Sequence, residues 1–228
     1  MNLLALDTST EFLSLALQLG DKSFSHYQHA GQASSQLVLP QIQALLDSAN
    51  IKLSDLDGIA FGAGPGAFTG VRVACGVAQG LGFGANLPVV GVNTLLTVAQ
   101  ASGEERVIVC LDARMGEIYH AAFERKNNEW IEQSVTRVCK PEAAPVLEGA
   151  WTGAGSGWAV YAEVLSQIYA KSLVEILPNI TPTAEAILQL ATPIFSAGEA
   201  KPASEAMPIY IRNRVALTTL EREAGQRL

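Results

Sequence analysis

The alternation of apolar and polar positions predicts a set of strands and helices in the first half of the chain. An apolar run, "NLLALD", ends in Asp7, and the strand-like segments "FLSLALQLG" and "KSFSHYQHA" follow, with a turn at Gly20 and Asp21 between them. Apolar residues at helical spacing predict a helix over 35–49, where Pro40 is tolerated if it lies in the first turns. The set is completed by a buried strand at 58–61, a helix over 68–84, a strand in "LPVVGVN" and a short helix over 94–101.

The same order of elements begins again in the second half. "RVIVCLDARMGEIYHAAFER" repeats the apolar run, the aspartate and the second strand, and its Asp112 lies 112 − 7 = 105 residues after Asp7. Two βββαβα-like halves predict a duplicated α/β fold in which the turns after Asp7 and Asp112 face each other across a cleft. We place the halves at 1–103 and 104–228. The second half is further predicted to contain a strand in "EWIEQSVTRV" and helices near 142–147, 159–169 and 183–195, the last helix packing back on the first half.

Composition narrows the classes of function. Apolar residues make up 49% of the 228 residues and charged residues 16%, which indicates a rich core and apolar surface left for a partner. Nucleic-acid binding depends on Lys and Arg, but 15 basic residues stand against 22 acidic ones, so a stand-alone nucleic-acid binder is not expected. The apolar runs are shorter than the ~18–20 residues of a membrane helix, and the N-terminus lacks a signal-peptide pattern. We therefore expect a cytoplasmic protein without membrane association, and Cys75, Cys110 and Cys139 are expected to be reduced, buried thiols.

A glycine-rich stretch, "GAGPGAFTGVRVACGVAQGLGFG" at 62–84, raises the question of phosphate binding. It contains no Lys, which excludes a P-loop, and its spacing does not fit G-x-G-x-x-G. A looser anion site is still open, because backbone N–H groups of this turn would point outward at a helix N-terminus. The turn "TST" after "NLLALD" could also face a phosphate with its hydroxyl groups. The alternative for this turn is that its side chains hydrogen-bond to its own backbone. The candidate phosphate or nucleotide contacts are Asp7, Thr8, Ser9, Thr10, Gly64, Gly66, Thr69 and Arg72.

A second interpretation of the glycines concerns helix packing. Gly76, Gly80 and Gly84 lie four residues apart and form one stripe of the predicted helix. Each interior glycine costs a helix roughly 0.5–1 kcal/mol relative to alanine, which is easier to understand if something packs closely on the stripe. We expect Val73 and Val77 to lie on the opposite face and to enter the core. The stripe packs either against a helix of the same chain or against a helix of a partner.

Catalytic motifs are missing from the sequence. His26 and His29 fall on opposite faces of a predicted strand, and His120 is distant in sequence, so we expect no metal site and no cofactor. No G-x-S-x-G motif occurs. Asp112, Arg114 and Glu117 in the second turn are expected to include a local ion pair, and no catalytic residue is assigned.

Five segments together resemble one family. "LLALDTST", "FGAGPGAFTGVRVACGVAQGLGFG", "LPVVGVNTL", "DARMGEIY" and "PIYIRNRVA" are similar, in order and spacing, to the bacterial TsaB (YeaZ) family across almost the whole chain. The resemblance implies an actin-like ATPase (ASKHA) fold of two related subdomains. It also implies a role in making threonylcarbamoyladenosine in tRNAs that read codons beginning with A.

The resemblance implies a set of partners as well. In that pathway the catalytic homologue TsaD carries a metal-binding H-x-x-x-H pair on the helix that corresponds to "ASSQLVLPQIQALLDSA", where this chain has no histidine. We therefore expect a non-catalytic partner of TsaD, joined by the ATPase TsaE, that meets tRNA only indirectly and can form a homodimer when isolated. The alternative is an ATP-dependent phosphotransferase of the same fold acting on a small molecule. The implied partner-binding residues are Ser35, Leu39, Ile42, Leu46, Val73, Gly76, Val77 and Gly80.

Overall fold

The first half of the chain forms a five-stranded mixed sheet. In this computed structural model, which describes residues 1–212, the half consists of β1 (Asn2–Asp7), β2 (Phe12–Leu19), β3 (Lys22–His29), α1 (Ser34–Ser48), β4 (Gly58–Gly64), α2 (Phe68–Ala85), β5 (Val89–Asn93) and α3 (Thr94–Ser102). The strand order is β3-β2-β1-β4-β5. Strands β1 to β3 pair antiparallel, and β4 and β5 are parallel to β1. The central strand β1 is buried at every residue except Asn2, because both faces of the sheet are covered.

The second half repeats this topology. It consists of β6 (Arg106–Asp112), β7 (Ile118–Lys126), β8 (Glu129–Cys139), β9 (Trp151–Ala154), α4 (Gly157–Val160), α5 (Ala162–Ile168), β10 (Leu173–Leu177) and α6 (Ala184–Ser196). The strand order is β8-β7-β6-β9-β10, which matches the order β3-β2-β1-β4-β5 of the first sheet strand for strand, with β6 in the place of β1. Strands β6 to β8 pair antiparallel, and β9 and β10 are parallel to β6.

One helix of each half packs on the sheet of the other half. The first sheet is covered on one face by α1 and α2 and on the other by α6 from the second half. The second sheet is covered by α4 and α5 on one face and by α3 from the first half on the other. Each face of each sheet thus has its own hydrophobic core, four in all. The division at 103/104 separates the two sheets, but two of these cores, those under α3 and α6, contain residues from both halves.

Three predictions about elements of the second half need correction. The helix expected near 142–147 is one 3-10 turn at Pro141–Ala143, because Pro145 lacks an N–H and restricts the residue before it. The helix expected at 159–169 is two short helices that meet at Tyr161. Strands β9 and β10 were not predicted, since runs of four and five residues carry little periodicity. The end of the second half at 213–228, including "NRVA" of the last family-like segment, lies outside the described residues.

None of the helices within residues 1–212 combines the length and the apolarity needed to cross a membrane.

Candidate functional site

Helices α1 and α2 lie side by side on the first sheet and present their outer sides to solvent. We call this surface the α1–α2 face and define it by Ser35, Leu39, Val73, Gly76, Val77 and Gly80. Ser35, Gly76 and Gly80 are exposed, Leu39 is 52% exposed, and Val73 and Val77 are half-buried. The surface is therefore apolar or small at every one of these six positions, which is typical of a site that another helix covers.

Two of the partner-binding residues implied by the family resemblance, Ile42 and Leu46, do not lie on this face. Ile42 and Leu46 are each 3% exposed and belong to the core between α1 and the first sheet. Their side chains face the sheet because apolar residues at this spacing form the buried stripe of α1. Neither can contact a partner without unfolding the helix from its sheet.

Val73 and Val77 do not lie opposite the glycines. Three residues correspond to about 300° of helix rotation, so Val73 is only about 60° from Gly76. The buried residues of α2 are Val71, Ala74, Cys75, Ala78 and Gly82, and the half-buried Val73 and Val77 pack against the same core, as predicted. A Cβ added at Gly76, Gly80 or Gly84 would meet no atom within 4 Å in the part of the chain that the structure describes. The glycine stripe is thus open. No helix within residues 1–212 packs on it, so internal packing in this part of the chain does not explain the three glycines.

The other glycines of the stretch serve a different purpose. A Cβ on Gly62 would overlap the Asp7 carboxylate, and a Cβ on Gly70 would overlap the backbone oxygen of Thr8. Gly66 similarly lies against Ser9, whose oxygen accepts a hydrogen bond from the N–H of Ala67 at 2.7 Å. These three glycines allow β4, the β4–α2 loop and the first turn of α2 to pack directly on Asp7 and on the turn between β1 and β2.

The side chain of Asp7 is buried where β1 packs against β4. Its side chain is 1% exposed, and Oδ1 accepts hydrogen bonds from the N–H and the hydroxyl of Ser9, both at 2.8 Å. Oδ2 has no hydrogen-bond partner among residues 1–212. Burial raises the pKa of the Asp7 carboxyl to about 6, although the two bonds from Ser9 act in the opposite direction. The carboxyl of Asp7 lies against the backbone of Gly62 and does not line the cleft between the halves, although the turns that follow Asp7 and Asp112 both line it, as the repeat predicts.

A cleft of about 1140 Å³ separates the two halves. Its walls include Thr8, Ser9 and Thr10 from the β1–β2 turn and Asp112 and Arg114 from the β6–β7 turn. The hydroxyl of Thr8 is already used, because it donates to the backbone oxygen of Gly70 at 2.6 Å. Of the remaining candidate phosphate contacts, Gly66 and Thr69 line the cleft, whereas Gly64 and Arg72 are not among its lining residues.

A segment near the end of the described chain closes one side of this cleft. We call residues 207–212 the strap. The N–H of Ile209 donates to the oxygen of Ala63 at the end of β4, at 2.7 Å. At the other end, Arg212 donates to the Glu117 carboxylate and, at 3.1 Å, to the backbone oxygen of Ala113. The strap thus joins the first sheet to the β6–β7 turn of the second.

Sequence reasoning missed the strap residues Tyr210 and Arg212 as parts of the site. The available signal was that "DARMGEIY" and "PIYIRNRVA" both belong to the family-like segments, and the structure brings these two segments into contact. The expected ion pair in the β6–β7 turn exists between Arg114 and Asp112 at 3.1 Å, whereas Glu117 pairs with Arg212.

The histidines do not assemble into a reactive group. His120 is fully buried, and its Nε2 lies 2.9 Å from the hydroxyl of Tyr169, which itself donates to the oxygen of Pro145. Nε2 therefore carries the proton and donates to Tyr169, while burial lowers the pKa of His120 to about 4. Within residues 1–212 no three His, Cys, Asp or Glu side chains come together as a metal site would require.

Known proteins are similar to this chain in both sequence and structure. The family described as "TsaD: tRNA N6-adenosine threonylcarbamoyltransferase" matches residues 26–219. The tRNA threonylcarbamoyladenosine biosynthesis protein TsaB of Escherichia coli (strain K12) is 38% identical over 95% of this chain and 96% of its own. TsaB of Haemophilus influenzae is 36% identical over 94% of this chain and 95% of its own. The structure of YeaZ from Pseudomonas aeruginosa superposes with a TM-score of 0.85 at 40% identity, over 92% of this chain and 99% of that one. The α/β fold predicted from the sequence is confirmed.

Proposed function

The chain belongs to the TsaB family, and from this membership we propose that it acts in tRNA threonylcarbamoyladenosine biosynthesis as the non-catalytic partner of the homologous transferase TsaD. The two proteins pair through the α1–α2 face. In this role the chain stabilises the active form of TsaD in the cytoplasm, within a complex that TsaE joins. Its net charge of −7 favours indirect rather than direct contact with tRNA.

The observation that carries this proposal is the open glycine stripe beside an exposed leucine. Gly76 and Gly80 leave room for a neighbouring backbone to approach α2 closely, and Leu39 of α1 offers an apolar side chain at 52% exposure. Interior glycines weaken a helix, so a close partner gives them a purpose that the described part of the chain does not. The same surface can pair two copies of the chain when TsaD is absent.

Three features of the chain support a non-catalytic role. The matching family bears the name of a transferase, but α1 has no histidine where the resemblance assigns the H-x-x-x-H pair to TsaD. His120 is held in the core by Tyr169, at 2.9 Å. Asp7, the carboxylate that a phosphotransferase of this fold would use, is buried against Gly62 of β4.

The test is reconstitution of tRNA modification with purified TsaD, TsaE, tRNA and this chain, which we expect to fail when the chain is omitted. Gly80→Arg places a long cation on the stripe and should abolish co-purification with TsaD, while circular dichroism and thermal unfolding stay like wild type. Ala162→Arg, an equally large change at an exposed position of α5 in the second half, is the matched control and should bind normally. Retained binding by the Gly80 variant, or loss of its fold, would contradict the proposal.

A second candidate function is an ATP-dependent phosphotransferase acting on a small molecule. It is favoured by the cleft, which is lined by Ser9 and Thr10 from the first half and by Asp112 from the second. Calorimetric titration of the isolated chain with Mg-ATP separates the two functions. Tight binding with turnover that Asp7→Asn abolishes would establish the enzyme, whereas full support of TsaD by Asp7→Asn is expected of the partner.

A further inference from the structure

Arg72 has an unusual environment at the edge of the α1–α2 face. Its guanidinium lies over the ring of Phe68, with Cζ 3.3 Å from the ring centroid, and 4.8 Å from the ring of Tyr210 in the strap. Nη1 donates to the backbone oxygen of Phe68 at 2.9 Å. Within residues 1–212, Arg72 makes no ion pair with an acidic side chain, although a guanidinium has five N–H donors.

Charge is scarce on the two helices. The 15 residues of α1 and the 18 residues of α2 contain two charged side chains, Asp47 and Arg72. Arg72 lies one turn before Gly76, which places both on neighbouring positions of the same side of α2. An isolated cation on an otherwise uncharged surface is electrostatically complementary to one anionic group of a partner, and it cannot be replaced by a neighbouring cation.

Phe68 and Tyr210 hold the guanidinium in place before any partner arrives. Their side chains are 55% and 54% exposed, and the arginine stacks on them instead of extending freely into water. A side chain that is already ordered loses less conformational entropy when it binds. The planar fork of arginine also matches a carboxylate with two parallel N–H···O bonds, which the ammonium of lysine cannot do.

We infer that Arg72 is the charged anchor of the α1–α2 face and binds the carboxylate of an Asp or Glu side chain of TsaD. This inference rests on the proposed function. It assigns orientation and specificity to one residue, while the glycine stripe supplies close packing. Tyr210 is a positioning residue, because it acts on the partner only through Arg72.

The test is the dissociation constant of the complex with purified full-length TsaD, measured by calorimetry for single variants of the full chain. Arg72→Ala should raise Kd by about tenfold to a hundredfold, and Arg72→Lys should recover only part of the loss. Tyr210→Ala should raise Kd by a smaller factor, while Tyr210→Phe keeps the ring and should bind like wild type. Arg125→Ala is the matched control, because Arg125 also lies over an aromatic ring, Trp130 at 5.4 Å, but in the second half.

The carboxylate itself is found by a double-mutant cycle. Substitution of each surface Asp and Glu of TsaD by Asn and Gln should identify one variant that weakens binding to the wild-type chain but not to Arg72→Ala. Raising the salt concentration should weaken the wild-type complex more than the Arg72→Ala complex.

The possible outcomes separate this inference from the function on which it rests. If TsaD does not bind the wild-type chain, the proposed function fails. If TsaD binds the wild-type chain and Arg72→Ala equally well, the function stands and the inference is overturned. It is also overturned if no carboxylate of TsaD is coupled to Arg72, or if inorganic phosphate or Mg-ATP binds the isolated wild-type chain but not Arg72→Ala, because the anion would then be a phosphate.

Discussion

Among single residues, Asp7 has the clearest dependence on pH. Its pKa is about 6 in the folded chain against an ordinary value of 3.8, so the folded state holds this proton more tightly than the unfolded chain does. Below about pH 4 the carboxyl is protonated and does not lower the free energy of unfolding. As the pH rises from about 4 to about 6, the free energy of unfolding falls, by about 3 kcal/mol in total. Between pH 4 and pH 7.5, the free energy of unfolding of Asp7→Asn should rise relative to wild type by about 3 kcal/mol, measured by urea denaturation.

Ser9 offers a second measurement on the same carboxyl. Its hydroxyl donates to Asp7 Oδ1 at 2.8 Å, and this bond favours the ionised form. Ser9→Ala should therefore raise the pKa of Asp7 further, as followed by NMR of the labelled carboxyl carbon. A pKa near 4 in the wild-type chain, or a stability difference that does not change with pH, would show that water reaches the carboxyl.

Among the elements, α2 carries two kinds of glycine that respond oppositely to a methyl group. Gly80→Ala adds a Cβ in open space and should stabilise the isolated chain by about 0.5–1 kcal/mol, because alanine favours the helix. Gly70→Ala directs the same Cβ into the backbone oxygen of Thr8 and should destabilise it by about 1–3 kcal/mol. Chemical denaturation at concentrations where the chain is monomeric measures both. Destabilisation by Gly80→Ala would mean that the stripe is packed internally.

The elements also show where sequence reasoning reached its limit. Periodicity was sufficient for α1, α2 and the central strands, whose buried residues recur at regular spacing. It could not distinguish Gly70 from Gly80, because the difference lies in what approaches each glycine from the β1–β2 turn. Ile42 and Leu46 were assigned to the partner surface by the family resemblance, which pointed to α1 as a whole and did not separate its buried face from its outer face.

In the whole molecule, the repeat of the two aspartates was sufficient to predict two related halves, but not how they are joined. The exchange of α3 and α6 between the sheets depends on contacts between residues far apart in sequence, such as the hydrogen bond from the N–H of Ala184 to the hydroxyl of Ser14 at 2.8 Å. The same is true of the strap, in which Arg212 meets Glu117 across the cleft. Neither contact follows from the local pattern of either segment.

The strap gives the last prediction, which concerns the connection of the two halves. Arg212 is 14% exposed, so Arg212→Ala leaves Glu117 and the oxygen of Ala113 without their donor. The free energy of unfolding should fall by about 1–3 kcal/mol. Hydrogen exchange of the Ile209 amide, bonded to Ala63, should accelerate, because the strap loses its attachment at the far end.

Two internal controls make this measurement specific. The Lys201 amide, which donates to Val89 at 2.9 Å, lies before the strap and should exchange as in wild type. Arg114→Ala removes an arginine that is 84% exposed in the same β6–β7 turn and should change stability by less than about 0.5 kcal/mol. If the Ile209 amide exchanges equally in the Arg212→Ala and wild-type chains, the strap is held by the first sheet alone and does not couple the two halves. If it accelerates only in Arg212→Ala, the geometry of the cleft depends on this one arginine.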